Sequence, residues 1–143
     1  MKISGYASRF DERDAGGDRV RRGAFAASLL ARSSPLPMLS DHQRKVGVWH
    51  RAIEDETGLY VEGTVNDPTL QRLIATGRVR GLSIGYRTRR ASGDPKASQR
   101  DLHDVDLREV SIVAFPMLTS ARIDRVTDDN QTMDEHANYR RSA

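Results

Sequence analysis

The stretch Gly81-Leu82-Ser83-Ile84-Gly85 carries the residues of this chain with the clearest chemical potential. It is a literal G-x-S-x-G, the spacing of a nucleophile elbow, in which a serine hydroxyl attacks a carbonyl carbon. Such a motif is a hypothesis until its structural context agrees, because a serine between apolar neighbours in a strand is usually structural. A serine nucleophile also needs a base and a group that orients the base.

The surrounding sequence contradicts an elbow of the α/β-hydrolase type. That elbow needs a strand, a sharp turn at the serine and then a helix, but "YRTRRASGDP" follows Ser83 with no apolar face at helical spacing. Leu82, Ile84 and Tyr86 alternate through the motif, which places Ser83 and Gly85 together on the opposite face of one continuing strand. The two glycines of the motif would let another part of the chain approach this strand closely.

The order of residues also argues against that fold, since the elbow fold places its acid and histidine after the serine. His103 and His136 do follow Ser83, but one lies close to a polar loop and the other in a polar tail. His42 precedes it, at the end of the apolar run "LPML", where the chain becomes polar. His42 is a candidate base for Ser83, although its local sequence by itself is more typical of an ordinary surface histidine.

Glu109 in "LREVSIV" is the candidate for the third group. In the predicted strand it shares one face with Leu107, Ser111 and Val113, and the other face is apolar too, as in a small closed barrel covered by helices. A buried carboxylate needs a partner, because burying an unpaired ion costs several kcal/mol. Orientation of a catalytic imidazole and a structural salt bridge to an arginine are both open at this point.

The composition and length limit the class of protein to which this chain can belong. The 143 residues predict one domain over residues 1–126 and a polar, mobile tail over residues 127–143. There is no cysteine, no apolar signal segment in "MKISGYASRF" and no apolar run near the ~20 residues that cross a bilayer. We therefore expect a soluble, cytoplasmic protein with no membrane partner. His42 and His50 could be combined with nearby carboxylates, but no ligand spacing supports a metal site, and no cofactor is predicted.

The arginine clusters raise the question of whether the protein binds nucleic acid. The net charge is only +3 and 6% of the residues are aromatic, so the clusters lack the stacking side chains that accompany a basic nucleic-acid surface. Solvated surface is the favoured interpretation, and a small nucleic-acid-binding barrel is the weaker alternative. The clusters lie at residues 19–22, 78–80 and 87–90.

The predicted elements are short and mostly extended. Residues 23–31 form an alanine-rich helix, and a second helix begins after Asp67 as N-cap and ends near Gly77. "PLPMLSDH" runs extended into His42, and residues 91–101 form a loop. The predicted strands are residues 46–49, 59–65, 79–90 and 102–115.

Five blocks in the same order give the chain a family resemblance over roughly residues 4–126. They are the opening "GYASRFDERDAGGDRVRRGAFAASL", the histidine block "PLPMLSDH", the hairpin "VGVWHRAIEDETGLYVEGTV", the serine strand "RGLSIGYR" and the closing "LREVSIVAFPMLTSARI". They resemble the prohead proteases of HK97-like tailed phages, which are related to the herpesvirus assemblins. The resemblance implies an α+β, mostly β fold, a small closed and mainly antiparallel barrel flanked by a few helices.

The resemblance also implies a serine endopeptidase that cleaves scaffold segments or the major capsid protein inside the assembling procapsid, in the host cytoplasm. His42 and Ser83 match the family's catalytic positions, and Glu109 stands where assemblins have a second histidine, with Asp41 and His103 as the next candidates. Many relatives carry an aspartate directly after the histidine, whereas here Asp41 precedes it. The alternative function is a non-catalytic capsid-assembly protein of the same fold. A homodimer or higher oligomer is left open.

Overall fold

The structure is a computed structural model, and it describes residues 1–128. Over this range the chain forms eight strands and two short α-helices, with a single 3-10 turn between the sixth and seventh strands. The strands are β1 Lys2–Arg9, β2 Asp18–Val20, β3 Leu36–Ser40, β4 Arg44–Glu54, β5 Gly58–Val65, β6 Gly81–Asp94, β7 Gln99–Val113 and β8 Arg122–Thr127. The helices are α1 Ala26–Ala31 and α2 Pro68–Ala75, and the 3-10 turn is Pro95–Ala97.

Seven of the strands close into a barrel. Their order around it is β7-β3-β4-β5-β1-β8-β6, and β6 pairs again with β7 to complete the ring. All of these pairings are antiparallel except β3–β7, and β2 adds to β7 from outside as a parallel strand. The predicted fold class, a small closed and mainly antiparallel barrel with a few helices, is confirmed.

The barrel interior explains the alternation seen in the sequence. In β5 the residues Leu59, Val61 and Val65 are fully buried while Tyr60, Glu62 and Thr64 are partly exposed, as the period of two requires. Trp49 of β4 is 2% exposed, and its indole N–H donates to the carbonyl of Val110 at 3.1 Å. That bond satisfies the one polar atom of the largest side chain in the core.

The two helices lie close to their predicted positions. α1 begins three residues later than residue 23, because Phe25 serves as its N-cap and is fully buried. The hydroxyl of Ser28 accepts the N–H of Leu107 at 2.8 Å, which ties α1 to β7. α2 is capped as predicted, with the Asp67 carboxylate accepting the N–H of Leu70 at 2.8 Å.

The predicted loop over residues 91–101 is wrong. β6 continues to Asp94 and β7 begins at Gln99, so the two strands project beyond the barrel as a two-stranded arm that turns through the 3-10 segment. Both faces of this arm are exposed from residue 89 to residue 100. A ribbon that is solvated on both faces has no need of apolar alternation, so its composition matches that of a loop.

The end of the described chain shifts one boundary. Thr127, the first residue of the predicted tail, belongs to β8 and pairs with Lys2 of β1. Residues 129–143, with His136 and the rest of that tail, lie outside the described residues.

Two features bear on partners. No helix within residues 1–128 has the length and apolar character that crossing a membrane requires. Several arginines of the basic clusters are engaged in ion pairs with aspartates, which lowers the charge that they present to a partner. These pairs are Arg19–Asp101, Arg21–Asp11 and Arg89–Asp106.

Candidate active site

His42 lies in a tight turn between β3 and β4. Asp41 and His42 both have positive φ, 50° and 62°, and the N–H of Gln43 donates to the carbonyl of Ser40 at 3.1 Å. Two consecutive positive φ values with this bond are typical of a type I′ turn, and aspartate and histidine are among the non-glycine residues that tolerate it best. The prediction that the chain runs extended into His42 is therefore wrong for its last two residues, since β3 ends at Ser40.

Strand pairing brings the serine and the glutamate to the same place. β6 and β7 are antiparallel, with Ser83 opposite Ser111 and Gly85 opposite Glu109. β3 is parallel to β7 on its other side, with Leu39 at the level of Ser111. The turn that follows β3 thus places His42 next to the part of β7 that carries Glu109 and Ser111. His42, Ser83 and Glu109 therefore meet, although they are far apart in sequence.

Gly85 has a specific steric role. A Cβ on this residue would lie 2.0 Å from Oε1 and 2.6 Å from Cδ of Glu109. The Glu109 side chain therefore crosses directly over the backbone of β6, and only glycine leaves room for it. The second glycine of the G-x-S-x-G pattern makes space for the glutamate and does not form an elbow, and Ser83 lies inside a continuous strand.

The three predicted residues form one connected chain of contacts. Nδ1 of His42 contacts Oε1 of Glu109, and Nε2 of His42 lies 3.1 Å from Oγ of Ser83. An ionised carboxylate can only accept a hydrogen bond, so Nδ1 donates and the neutral imidazole carries its lone pair on Nε2, facing the serine hydroxyl. Glu109 and Ser83 are buried, and the His42 side chain is 43% exposed.

Ser111 extends this chain and was not predicted as a site residue. Its hydroxyl donates to Oε2 of Glu109 at 2.8 Å and accepts the backbone N–H of His42 at 2.9 Å. It is fully buried. The Ser111 hydroxyl thus holds the second carboxylate oxygen of Glu109, Oε2, and also positions the backbone of His42. The signal available in the sequence was its position two residues after Glu109, on the same face of the strand.

The other candidates lie elsewhere. His50 bonds to Thr64 at 2.8 Å, and His103 bonds to Ser92 at 2.7 Å on the arm. Within residues 1–128 no hydrogen bond joins Asp41 or His103 to His42, and no group of three His, Cys, Asp or Glu side chains is placed to hold a metal ion.

The loop over residues 114–121 closes over the serine strand. The N–H of Leu82 donates to the carbonyl of Ala121 at 2.9 Å, and a Cβ on Gly81 would lie 2.7 Å from Cδ of Pro116. Met117 and Leu118 share a cavity with Ser83. The loop therefore contacts β6 at Gly81 and Leu82, the two residues that precede Ser83.

The cavity beside Ser83 has an acidic side. Both oxygens of Asp18 accept bonds from Arg100, at 3.0 Å each, and this pair lowers the pKa of Asp18. The hydroxyl of Tyr86 donates to Asp18 at 3.1 Å. Burial, together with the negative charges of Asp18 and Asp14, raises the pKa of Tyr86 to about 12.

The arrangement can perform general-base activation of a hydroxyl. A serine, a histidine with its lone pair toward it, and a carboxylate that stabilises the charged imidazole are the components of acyl transfer by serine hydrolases. The order in this chain is histidine, serine, glutamate, carried on a turn and two strands of a barrel, which differs from the order in α/β-hydrolases.

Comparisons with known proteins identify the family of this chain. The family model described as caudovirus prohead serine protease matches residues 1–136. The chain is 31% identical over 130 residues to the prohead protease of Enterobacteria phage HK97, which covers 85% of this chain. It is also 31% identical over 123 residues to the prohead protease of Escherichia phage T5, covering 81% of this chain. The chain spans 58% of the length of each of these relatives.

Solved structures share the fold at low identity. A protease of Kaposi's sarcoma-associated herpesvirus, bound to a hexapeptide phosphonate inhibitor, aligns with a TM-score of 0.59 at 13% identity, covering 96% of this chain and 76% of that one. The capsid assembly protease of bacteriophage T4 aligns with a TM-score of 0.61 at 12% identity, covering 80% and 82%. The varicella-zoster virus protease aligns with a TM-score of 0.53 at 14% identity, covering 99% and 77%.

Proposed function

The chain belongs to the caudovirus prohead serine protease family, and on that premise we propose that it is a serine endopeptidase of capsid maturation. It cleaves scaffold segments or the major capsid protein inside the procapsid, which assembles in the host cytoplasm. The observation that carries the proposal is the unbroken chain of contacts from Ser111 through Glu109 and His42 to Ser83.

His42 acts as the general base. Its Nε2 takes the proton of Ser83 as the serine oxygen attacks the scissile carbonyl, and it later gives that proton to the leaving amine. The starting distance of 3.1 Å between Nε2 and Oγ is within the reach that general-base transfer requires. Water then hydrolyses the acyl-enzyme with His42 again as the base, which restores the serine.

Glu109 orients the imidazole and stabilises its charged form. The carboxylate is held on both sides, by Nδ1 of His42 through Oε1 and by the Ser111 hydroxyl through Oε2. A carboxylate fixed in this way cannot rotate away when the imidazole becomes positive. This supports a catalytic role over a structural ion pair with arginine, since no arginine contacts Glu109 within the described part of the chain.

The backbone of residues 116–120 supplies the oxyanion stabilisation. This loop contacts the two residues before Ser83, and its Met117 and Leu118 line a cavity together with Ser83. Backbone N–H groups aimed at the developing oxyanion contribute about 2.7–4 kcal/mol per donor in comparable sites. Its position after β7, in contact with the strand residues that precede Ser83, is what supports this assignment.

The substrate assignment rests on the relatives. Two are named prohead proteases, and one structural neighbour is named a capsid assembly protease. A protease of this kind needs proteins of its own procapsid as substrates, so the major capsid protein and the scaffold are the proposed partners.

The test is co-expression of the chain with the major capsid protein and scaffold of the same phage, followed by intact mass measurement. Wild type should shorten at least one of these partners, and Ser83→Ala should leave all masses unchanged while retaining the wild-type thermal unfolding curve. Ser92→Ala is the matched control, because Ser92 is also paired with a histidine, His103, at 2.7 Å, but within residues 1–128 that histidine has no hydrogen bond to a carboxylate. It should cleave as wild type does.

Unchanged partner masses with wild type would refute the protease proposal. They would favour the alternative, a non-catalytic assembly protein of the same fold, which would be retained in procapsids without processing them. Cleavage by Ser83→Ala at the wild-type rate would refute the assignment of the nucleophile.

A further inference from the structure

The loop over residues 114–121, which follows β7, is poorly held by burial. Phe115 is 93% exposed and Met117 is 51% exposed, so two of its large apolar side chains lie mostly in solvent. Within residues 1–128 the loop makes a single hydrogen bond inside itself, from the N–H of Ala121 to the carbonyl of Leu118 at 3.0 Å. Its conformation therefore depends on contacts with other parts of the chain.

The β1–β2 loop, residues 10–17, supplies such contacts at two points. The N–H of Ala15 donates to the carbonyl of Met117 at 2.8 Å. Three residues further along, the Ser120 hydroxyl donates to Oε1 of Glu12 at 2.8 Å. Arg9, the last residue of β1, adds a bond from its Nε to the carbonyl of Ser120 at 3.3 Å. Residues 117 and 120 are thus both tied to the same neighbouring segment.

The bond at Met117 also orients a backbone donor. In a planar trans peptide the C=O and the following N–H point in opposite directions, and no peptide bond within residues 1–128 is cis. Because the Met117 carbonyl points to Ala15, the N–H of Leu118 points away from the β1–β2 loop. That N–H has no hydrogen-bond partner within the described part of the chain, so it is free to donate to a ligand.

The β1–β2 loop is well fixed for this task. Oδ1 of Asp14 accepts the N–H groups of Gly16 and Asp18 at 2.9 Å each, and the N–H of Asp14 donates to the carbonyl of Asp18 at 2.7 Å. These bonds close the loop at its base. Both carboxylate oxygens of Asp18 accept bonds from Arg100 of β7 at 3.0 Å, which anchors the loop to the barrel.

We propose that Glu12 and the turn organised by Asp14 are positioning elements of the active site. They act through the loop over residues 114–121 and not by contact with the reacting atoms. This inference rests on the proposed function, in which the backbone of residues 116–120 stabilises the oxyanion. Such donors are effective only when they are fixed before the reaction. A displacement of about 1 Å caused by a change far from the chemistry can cost on the order of 10²-fold.

Removal of the Glu12–Ser120 bond is the first test. The substrate is a fluorogenic peptide that spans a cleavage site mapped by co-expression with the capsid and scaffold partners. Glu12→Ala and Ser120→Ala should each lower kcat by about five- to tenfold with unchanged KM, and the double variant should be no worse, since both remove the same bond. Glu12→Gln should stay within about twofold of wild type, because its amide oxygen can still accept the hydroxyl.

Glu62→Ala is the matched control for this bond. Oε1 of Glu62 also accepts a hydroxyl, that of Tyr60 at 2.9 Å, but on the outer face of β5. Glu62→Ala should therefore cleave the peptide as wild type does.

Asp14→Ala tests the support one step further from the loop over residues 114–121. It leaves Glu12 and Ser120 in place but removes the acceptor that closes the β1–β2 loop, so kcat should fall about tenfold with unchanged KM. Asp14→Asn keeps an acceptor and should retain most of the activity. Asp94→Ala is the control, because Oδ1 of Asp94 also accepts a backbone N–H, that of Lys96 at 2.9 Å, but in the turn of the arm.

A peptide aldehyde of the same sequence separates positioning from a general loss of structure. The Ser83 hydroxyl adds to its carbonyl carbon and gives a hemiacetal whose oxygen takes the place of the oxyanion. The inhibition constant should rise by the same factor by which kcat falls in Glu12→Ala, Ser120→Ala and Asp14→Ala. All measurements are made well below the lowest unfolding temperature of the variants.

The two proposals fail in different ways. Unchanged kcat in these three variants, a rise in KM alone, or a fall in kcat without a matching loss of aldehyde affinity would overturn the positioning role. The protease proposal would still stand on cleavage by wild type and its loss in Ser83→Ala. If wild type cleaves no partner and a fluorophosphonate probe does not label Ser83 by intact mass, the protease proposal fails and the positioning inference fails with it.

Discussion

Replacing Glu109 by glutamine should inactivate the protein through the direction of a hydrogen bond. The amide can point its oxygen toward either His42 or Ser111. Ser111 accepts the N–H of His42 and needs an acceptor for its own hydroxyl proton. The favoured orientation therefore places the amide oxygen toward Ser111 and the amide NH₂ toward His42. Nδ1 of His42 must then accept, which puts its proton on Nε2, where it cannot take the proton of Ser83.

The magnitude follows from this competition. One neutral hydrogen bond contributes about 1 ± 0.5 kcal/mol, so Ser111 biases the amide toward the inactive orientation by roughly fivefold. The loss of the negative charge beside the imidazolium adds to this. An aspartate-to-asparagine change in the same role costs ~10⁴ in turnover. We expect Glu109→Gln to lower kcat/KM on the order of 10³-fold.

A double-mutant cycle with Ser111→Ala tests the reasoning. Ser111→Ala alone should lower activity, and it should destabilise the fold by roughly 2–4 kcal/mol, since it removes a bond to a buried carboxylate and the partner of a backbone N–H. It also removes the bias on the amide. In that background Glu109→Gln should cost about 200-fold, roughly fivefold less than in wild type. Peptide cleavage is measured well below the lowest unfolding temperature of the four proteins.

Ser28→Ala provides the matched background. It also removes a buried serine hydroxyl, the acceptor for the N–H of Leu107, but at α1 and away from the site. There Glu109→Gln should keep its full cost. An equal cost of Glu109→Gln in the Ser111→Ala and Ser28→Ala backgrounds would refute the orientation argument. No cost in any background would make Glu109 a structural residue.

His42→Ala and Ser83→Ala should each lower kcat by about 10⁴–10⁶-fold, and the double variant should be little worse, because the two groups act as one unit; losses that multiply would show that His42 does not serve Ser83. Tyr86 has a folded-state pKa of about 12, above its usual value of 10.0, so the stability linked to its proton is intact below pH 10 and is lost as the pH rises toward 12. Denaturant unfolding between pH 9 and 12 should show wild type losing stability relative to Tyr86→Phe, and parallel curves would contradict this. A chain ending at Asp128 retains all eight strands and should cleave peptides as the full chain does; loss of peptide cleavage would show that residues 129–143 belong to the working domain.

The sequence alone predicted the barrel strands β4 to β7 in part and the extended run of β3, and it singled out the candidate residues, but it did not predict β1 and β8. The period of two in β5 and the capped start of α2 are local signals, and local signals report burial and capping directly. Ser83, His42 and Glu109 could be singled out because their types are those of acyl-transfer chemistry. The resemblance then placed them in order.

The local signals failed where solvent covers both faces of a ribbon or where a turn is very tight. The β6–β7 arm has the composition of a loop, since no face of it is buried. The turn at Asp41 and His42 depends on two positive φ values that no apolar pattern encodes.

Only the tertiary structure shows that the three candidate residues come into contact. His42, Ser83 and Glu109 belong to a turn and two strands, and their contact depends on the parallel pairing of β3 with β7 and on the register of β6 against β7. A shift of one residue in that register would turn Glu109 to the other face of the sheet. The need for glycine at position 85 follows from the register of β6 against β7, and the contact of Ser111 with His42 follows from the pairing of β3 with β7.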